Sequence, residues 1–186
     1  MRFCKPRTST MRNTVGRLGY RARSLITIVA ALTGLLAGGV ALGATSASAA
    51  TARDENLVNG HYANCVDDSG SYGLRMYACN DASYNNGYQK WVEVNNSGSY
   101  EFQNVNTGLC LDGSSTYGLR GYACNPASYS NGYQKWVIYE STTSGAWVDW
   151  KNVATGECMD YSSTYGLRLY TCNNSSFVDA YQAWHN

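Results

Sequence analysis

The chain has 186 residues, 44% of them hydrophobic and 13% aromatic, with 14 Lys and Arg against 13 Asp and Glu for a formal net charge of +1. That length suits one domain, but the charge is unevenly spread: seven of the fourteen bases and none of the acids lie in residues 1–50, so the remainder sets seven bases against thirteen acids, a net charge of −6. An acidic domain lacks the electrostatic footprint for phosphate backbones or anionic membrane surfaces, which excludes nucleic acid and membrane insertion as expected partnerships.

Residues 1–24 carry Arg2, Lys5, Arg7, Arg12, Arg17, Arg21 and Arg23, followed by an apolar stretch over residues 25–42 and the small-residue run Ala47-Ser48-Ala49. A basic, then apolar, then small order predicts a secretory signal peptide over 1–50, cleaved near Ala49 or Ala50, and hence an extracellular protein. A membrane anchor is the competing reading; Thr27, Thr33, Gly34, Gly38 and Gly39 dilute the apolar run and speak against it. No cysteine sits at the cleavage point, which argues against a lipoprotein.

Cys4 leaves with that segment, and six cysteines remain, in three pairs each separated by 14 positions. An even number in an exported chain implies disulfides, and the recurring separation predicts Cys65–Cys79, Cys110–Cys124 and Cys158–Cys172. A loop of that size contributes roughly 3 kcal/mol in the chain-entropy account. The staples are needed, because the segment is poor in Leu, Ile, Val and Phe. Its five Trp and fifteen of the sixteen Tyr supply the buried area instead.

Three repeats organise the rest, at about 54–99, 100–146 and 147–186. Each carries Cys-x-Asp, then Tyr-Gly-Leu-Arg-x-Tyr-x-Cys-Asn, then Tyr-Gln-x-Trp, with a period of 45 and then 48 residues. The three extra residues sit around Ser141-Thr142-Thr143-Ser144-Gly145, and Phe177-Val178-Asp179-Ala180 departs from the Tyr-Asn-Asn-Gly and Tyr-Ser-Asn-Gly of the other repeats. Short alternations such as Trp136-Val137-Ile138-Tyr139 separated by Gly, Asn and Ser read as strands and turns, with hairpins at Asn106-Thr107-Gly108 and Ala154-Thr155-Gly156. Beyond the leader no segment has helical periodicity over three turns. A propeller needs four or more blades, so three units of four short strands predict an all-β chain folded as a β-trefoil with one disulfide per repeat.

The Gln-x-Trp that closes each repeat, preceded by Cys-x-Asp and an internal cysteine pair, resembles the signature of ricin-type β-trefoil lectins over residues 54–186. Within them the chain resembles the actinohivin-like subgroup of small secreted bacterial lectins, which share the Asp, an Asn thirteen residues later and Tyr-Gln-x-Trp. The resemblance implies a secreted, monomeric carbohydrate-binding protein. It would engage glycans or polysaccharides non-covalently through up to three equivalent sites, without catalysis, cofactor or metal.

By that resemblance Asp67 and Asn80, Asp112 and Asn125, and Asp160 and Asn173 belong to the sugar sites. An ionised carboxylate accepts two hydroxyl hydrogen bonds, an amide both donates and accepts, and a tyrosine ring covers the C–H face of a pyranose. Two sets of tyrosines are candidates for that ring: Tyr77, Tyr122 and Tyr170, and Tyr88, Tyr133 and Tyr181. Gln89, Gln134 and Gln182 are expected to satisfy backbone groups and Trp91, Trp136 and Trp184 to fill the core. Arg75, Arg120 and Arg168 are not typical of such sites; they either contact ligand or pair with nearby acids such as Asp68.

Two other functions compete. An enzyme would need chemistry that the chain lacks in motif form: His61 and His185 do not recur, and the repeated acid appears once per unit rather than as a pair across one bond. A protease inhibitor would present one unique loop, for which residues 141–145 are the sole candidate. A stand-alone polysaccharide-binding module that assists a separate glycoside hydrolase differs from a free lectin only in degree.

Overall fold

The computed structural model describes residues 50–185. The expected leader therefore lies outside the described residues, apart from Ala50. Strand pairing starts at once. The first repeat holds β1 (Thr51–Glu55), β2 (Val58–Asn59), β3 (Asn64–Ser69), β4 (Gly73–Ala78), the one-turn helix α1 (Asp81–Asn85) and β5 (Trp91–Asn96). The second holds β6 (Ser99–Asn104), β7 (Leu109–Ser114), β8 (Gly118–Ala123), α2 (Pro126–Ser130) and β9 (Trp136–Ser141). The third holds β10 (Trp147–Asn152), β11 (Cys158–Ser162), β12 (Gly166–Tyr170), α3 (Asn174–Val178) and β13 (Trp184–His185). No helix among the described residues is long and apolar enough to cross a membrane.

The strands form a β-trefoil. Six positions make a closed ring in the order β5, β6, β9, β10, β13 and then the segment 51–59. That segment is broken at Asn56-Leu57; β2 pairs with β13 on one side and β1 with β5 on the other, which closes the ring. The remaining strands form the hairpins β3–β4, β7–β8 and β11–β12, one per repeat. The disulfides Cys65–Cys79, Cys110–Cys124 and Cys158–Cys172 tie the open end of each hairpin, each with a Cα separation of 5.0 Å.

The core is stacked in threes, one residue from each repeat. Leu57, Phe102 and Trp150 make one set, Val66, Leu111 and Met159 another, and Trp91, Trp136 and Trp184 a third, all essentially inaccessible. Unequal residues fill equivalent places: Trp150 meets Phe102 edge to face with ring centroids 5.0 Å apart, and Leu57 occupies the third place. Volume is conserved over the set rather than at each position, which a close-packed interior tolerates. Leu74, Met76, Leu119, Leu167 and Leu169 from the hairpins close the stack.

Each repeat begins with the same turn. Asn104 Oδ1 accepts from the amides of Asn106 and Thr107, both at 3.0 Å, Asn152 Oδ1 accepts from Thr155 at 3.1 Å, and Asn59 Oδ1 accepts from His61 and Tyr62 at 3.2 and 3.3 Å. The residue that follows has positive φ in all three: Gly108 at 68°, Gly156 at 72°, but Ala63 at 53°. A Cβ in this left-handed region costs about 1 kcal/mol or more.

The two departures from the repeat meet in space. Thr142 from the inserted loop, Trp147, Phe177, Val178 and Ala183 line one apolar cleft with Gly60. Ala183 stands where the other repeats have Lys90 and Lys135, which reach over Tyr84 and Tyr129.

A second asymmetry lies behind the disulfides. Asn56, Glu101 and Asp149 occupy equivalent places in the three repeats. The Asn56 amide donates toward Cys65 Sγ at 3.7 Å, Glu101 Oε1 lies 3.3 Å from Cys110 Sγ, and an Asp149 oxygen lies within 4.8 Å of both Cys158 and Cys172 sulfurs. Burial pushes the Asp149 carboxyl from 3.8 up to about 8, with Glu140 and Asp160 adding repulsion and Lys151 opposing it. Both its oxygens are buried without a hydrogen-bond partner.

Two stability outcomes follow from these positions. Ala63→Gly is expected to stabilise the fold by up to about 1 kcal/mol, read as a higher urea midpoint with unchanged slope. Folding also takes up a proton at Asp149 between the unfolded value of 3.8 and the folded value of about 8. Stability therefore falls as the pH rises through that window, and Asp149→Asn should flatten the fall, raising Tm at pH 9 by more than at pH 5.

Candidate functional site

Each hairpin turns at a glycine of positive φ, Gly73, Gly118 or Gly166, and this sets the cross-strand register. Asp67 falls directly opposite Arg75, Asp112 opposite Arg120 and Asp160 opposite Arg168. The Arg Nε donates to Asp Oδ1 at 3.0, 2.9 and 2.8 Å respectively. The carboxylates are 1%, 1% and 2% exposed, while about a third of each arginine side chain reaches solvent. A cross-strand pair of opposite charge supports the hairpin, and the guanidinium answers a charge that burial would otherwise penalise heavily.

Each guanidinium is held between two tyrosines. Arg75 Cζ lies 4.3 Å from the Tyr72 ring centre and 4.8 Å from that of Tyr77. Arg120 lies 4.5 and 4.3 Å from Tyr117 and Tyr122, and Arg168 lies 4.4 Å from both Tyr165 and Tyr170. These are cation–π distances. Tyr72, Tyr117 and Tyr165 are the most open of the set, at 71%, 68% and 69% exposure.

Tyr88, Tyr133 and Tyr181 approach the same hairpins from the end of each repeat. Their carbonyls accept from the amides of Asp68, Gly113 and Tyr161 at 2.9, 2.8 and 3.0 Å. The carboxamides of Asn104, Asn152 and Asn59, each from the next repeat around the ring, donate to the same carbonyls at 2.9, 2.8 and 3.1 Å. An open cleft of about 250 Å³ results in the first repeat, lined by Tyr72, Arg75, Tyr77, Tyr88 and Asn106 among others. One of about 280 Å³ lies in the third, lined by Asp160, Tyr165, Arg168, Tyr181 and Tyr62 among others.

The structure gives the expected asparagines a different place. Asn80, Asn125 and Asn173 are the N-caps of α1, α2 and α3; their Oδ1 atoms accept from the amides of Ser83, Ser128 and Ser176 at 2.8, 2.8 and 2.9 Å. Their Nδ2 atoms donate to the carbonyls of Ala78, Ala123 and Thr171. Both ends of each carboxamide are thus occupied by backbone, as a cap requires. Asp67, Asp112 and Asp160 also differ from open acceptors: they turn inward onto arginine, and of the first and third clefts only the third has its aspartate, Asp160, in the lining. Arginine pairs with these acids rather than with Asp68, whose Oδ2 accepts from the Thr107 hydroxyl at 2.8 Å.

The glutamines and tryptophans hold the frame. Gln89, Gln134 and Gln182 accept through Oε1 from the amides of Asn80, Asn125 and Asn173 at 3.0, 3.0 and 3.1 Å, and donate through Nε2 to Ala78, Ala123 and Thr171. Trp91, Trp136 and Trp184 donate through Nε1 to the carbonyls of Val66, Leu111 and Met159.

Chemically, each cluster offers a fixed planar donor and aromatic faces. The Arg Nη groups have no protein acceptor among the described residues. Oδ2 of Asp67 is buried without a hydrogen-bond partner. Carboxylate and sulfur converge at Glu101 with Cys110 and Cys124 and at Asp149 with Cys158 and Cys172. Those sulfurs are bonded in disulfides, whereas a metal site needs thiolates.

A sequence model of the ricin-type beta-trefoil lectin domain matches residues 54–184. The chain belongs to the ricin-type β-trefoil lectin family. No curated protein matches it. Among solved structures this lectin domain is similar to the designed three-fold symmetric protein ThreeFoil, with a TM-score of 0.56 and 16% identity over 71% of this chain and 96% of that one. It is also similar to the Polyporus squamosus lectin bound to the human-type influenza-binding epitope, with a TM-score of 0.53 and 16% identity over 70% of this chain and 47% of that one. The cytolethal distending toxin of Actinobacillus actinomycetemcomitans shows the same fold at 20% identity and a TM-score of 0.56, over 71% of this chain and 88% of that one.

Tyr72, Tyr117 and Tyr165 are not among the expected site residues, yet the sequence carries a signal for them in their threefold recurrence before Gly-Leu-Arg. The Asp–Arg pairing was equally open to inference from the separation of eight residues about a turn glycine.

The pair and the exposed ring should differ in their effect on stability. Asp112→Asn is expected to cost about 2 kcal/mol, because a charged hydrogen bond is lost and Arg120 keeps no counter-charge. Tyr117→Ala should cost less than about 1 kcal/mol. Urea denaturation of the two variants against the parent chain measures both.

Proposed function

We propose that this lectin is exported and acts as a monomer that binds neutral glycans through three copies of one weak surface site, as in actinohivin-like lectins. The observation that carries the reading is the threefold recurrence of an arginine seated on a buried aspartate between two tyrosines. The arginine presents donors to ring hydroxyl oxygens, and the exposed tyrosines cover the C–H face of the pyranose. The aspartate acts as a positioning residue for the guanidinium. Because it already neutralises the arginine, and because the domain is acidic overall, an uncharged sugar fits better than an acidic one.

Millimolar binding corresponds to about −4 kcal/mol per site. Three such sites on one rigid body gain roughly 10²–10⁴ in avidity against a multivalent glycan whose spacing matches. The clefts of about 250 and 280 Å³ suit a small part of a glycan rather than a deeply enclosed ligand.

A glycan array probed with the secreted protein tests this reading. The parent chain should retain at least one class of neutral glycan. The triple variant Tyr72→Ala, Tyr117→Ala, Tyr165→Ala should lose that signal by roughly a hundredfold while folding normally by circular dichroism. Any one of these changes alone should weaken it only a few-fold. Retention of the signal by the triple variant would remove the tyrosine–arginine cluster from the site.

A further inference from the structure

The clefts of the first and third repeats are not equivalent, because each borrows a wall from the next repeat and those walls differ. The turn headed by Asn104 places Asn106 and Thr107 beside the first cleft, and Asn106 lines it. In repeat three the equivalent positions are Ala154 and Thr155. In repeat one they are His61 and Tyr62, set by the same Asn59 hydrogen bonds, and Tyr62 lines the cleft of the third repeat.

His61 and Tyr62 build an aromatic wall there. The His61 ring stacks on Tyr181, centroids 4.3 Å apart and 23° between planes, and its Nδ1 donates to the Asp179 carbonyl at 2.7 Å. Tyr62 meets Tyr161 edge to face at 5.1 Å and lies 6.3 Å from Tyr181. Its hydroxyl shares a hydrogen bond of 3.0 Å with Ser163 Oγ in the turn of the β11–β12 hairpin. Tyr62 is thereby held at both ends of its ring, by aromatic neighbours and by the hairpin it faces, with its position fixed before any ligand arrives. The replacements elsewhere carry no ring: Thr107 is spent on Asp68 and Asn104, and the Thr155 hydroxyl on Asn152.

We propose that Tyr62, positioned by His61, Tyr161 and Ser163, forms an additional subsite unique to the third cleft, which takes a second pyranose ring linked to the one seated on Arg168. The inference rests on the carbohydrate reading of the clefts. It assigns the third site a preference for disaccharides or longer chains, while the first and second sites recognise one ring at a time. A pre-positioned ring adds stacking area without the ordering cost of a mobile side chain.

The test is a site-resolved NMR titration of the secreted chain with mannose, galactose and xylose, each as mono-, di- and trisaccharide. The variants Tyr62→Thr, which matches the other two repeats, and Tyr62→Phe, which keeps the ring, are titrated in parallel. For whichever sugar binds, signals around Arg168 and Tyr181 should saturate at roughly tenfold lower disaccharide than monosaccharide concentration, with no such gain around Arg75 or Arg120. Tyr62→Thr should bring the disaccharide-over-monosaccharide gain around Arg168 down to that at the other sites, and Tyr62→Phe should keep most of it. Equal chain-length preference at all three sites, or an undiminished gain in Tyr62→Thr, overturns the subsite while leaving the glycan reading intact. Absence of binding by every sugar at every site overturns the glycan reading and the subsite together.

Discussion

In each repeat the indole N–H of the closing tryptophan reaches 25 positions back along the chain to a carbonyl in the first strand of the hairpin. An unpaired indole donor at zero exposure would carry a desolvation penalty of a few kcal/mol, so the hydrogen bond decides where each tryptophan sits. With the three indoles placed, the ring strands and hairpins have one mutual arrangement. The glutamine two residues earlier reaches across to the backbone around the second half-cystine, locking the one-turn helix onto the hairpin. The Gln-x-Trp triplet is thus a joint between the end of a repeat and its middle, and the disulfide holds the other side of that joint.

The clefts depend on this joint. The aspartate–arginine pair sits in the hairpin, but the tyrosine before the glutamine arrives with the closing strand, and an asparagine from the next repeat fixes its carbonyl. Each cleft is therefore assembled from two repeats, and none is complete within one. A buried carboxylate under a partly exposed guanidinium is a sound arrangement for recognition: the charges are mutually compensated, and the donor plane is held by two rings.

Symmetry explains most of the chain, and its breaches are concentrated. The inserted loop, Trp147, the Phe177 segment and Ala183 gather at one apolar cleft, and the substitutions at His61 and Tyr62 gather at another. At His61 and Tyr62 the backbone keeps the same Asn-headed turn as the other repeats, so side chains diverge there without disturbing the ring, whereas beside the inserted loop the register of β9 and β10 shifts between Val148 and Trp150. The carboxyls behind two of the disulfides are a further breach. They stand where the first repeat keeps an uncharged amide, and burial raises the Asp149 carboxyl to about 8.

Amino-acid order alone determined the trefoil and the three disulfides. The spacing within the repeat recurs three times, and residues that share it must occupy equivalent places in a closed fold. It also singled out the arginine and tyrosine positions by recurrence. Tertiary structure alone decided what those residues do. Asp67 faces Arg75 because the turn sets the register, and Asn80 caps a helix too short to leave a periodic trace. Tyr62 serves a cleft whose arginine lies in another repeat, more than a hundred residues away, because ring closure brings the first and last repeats together. Such contacts have no signal in local sequence; they exist only once the barrel has closed.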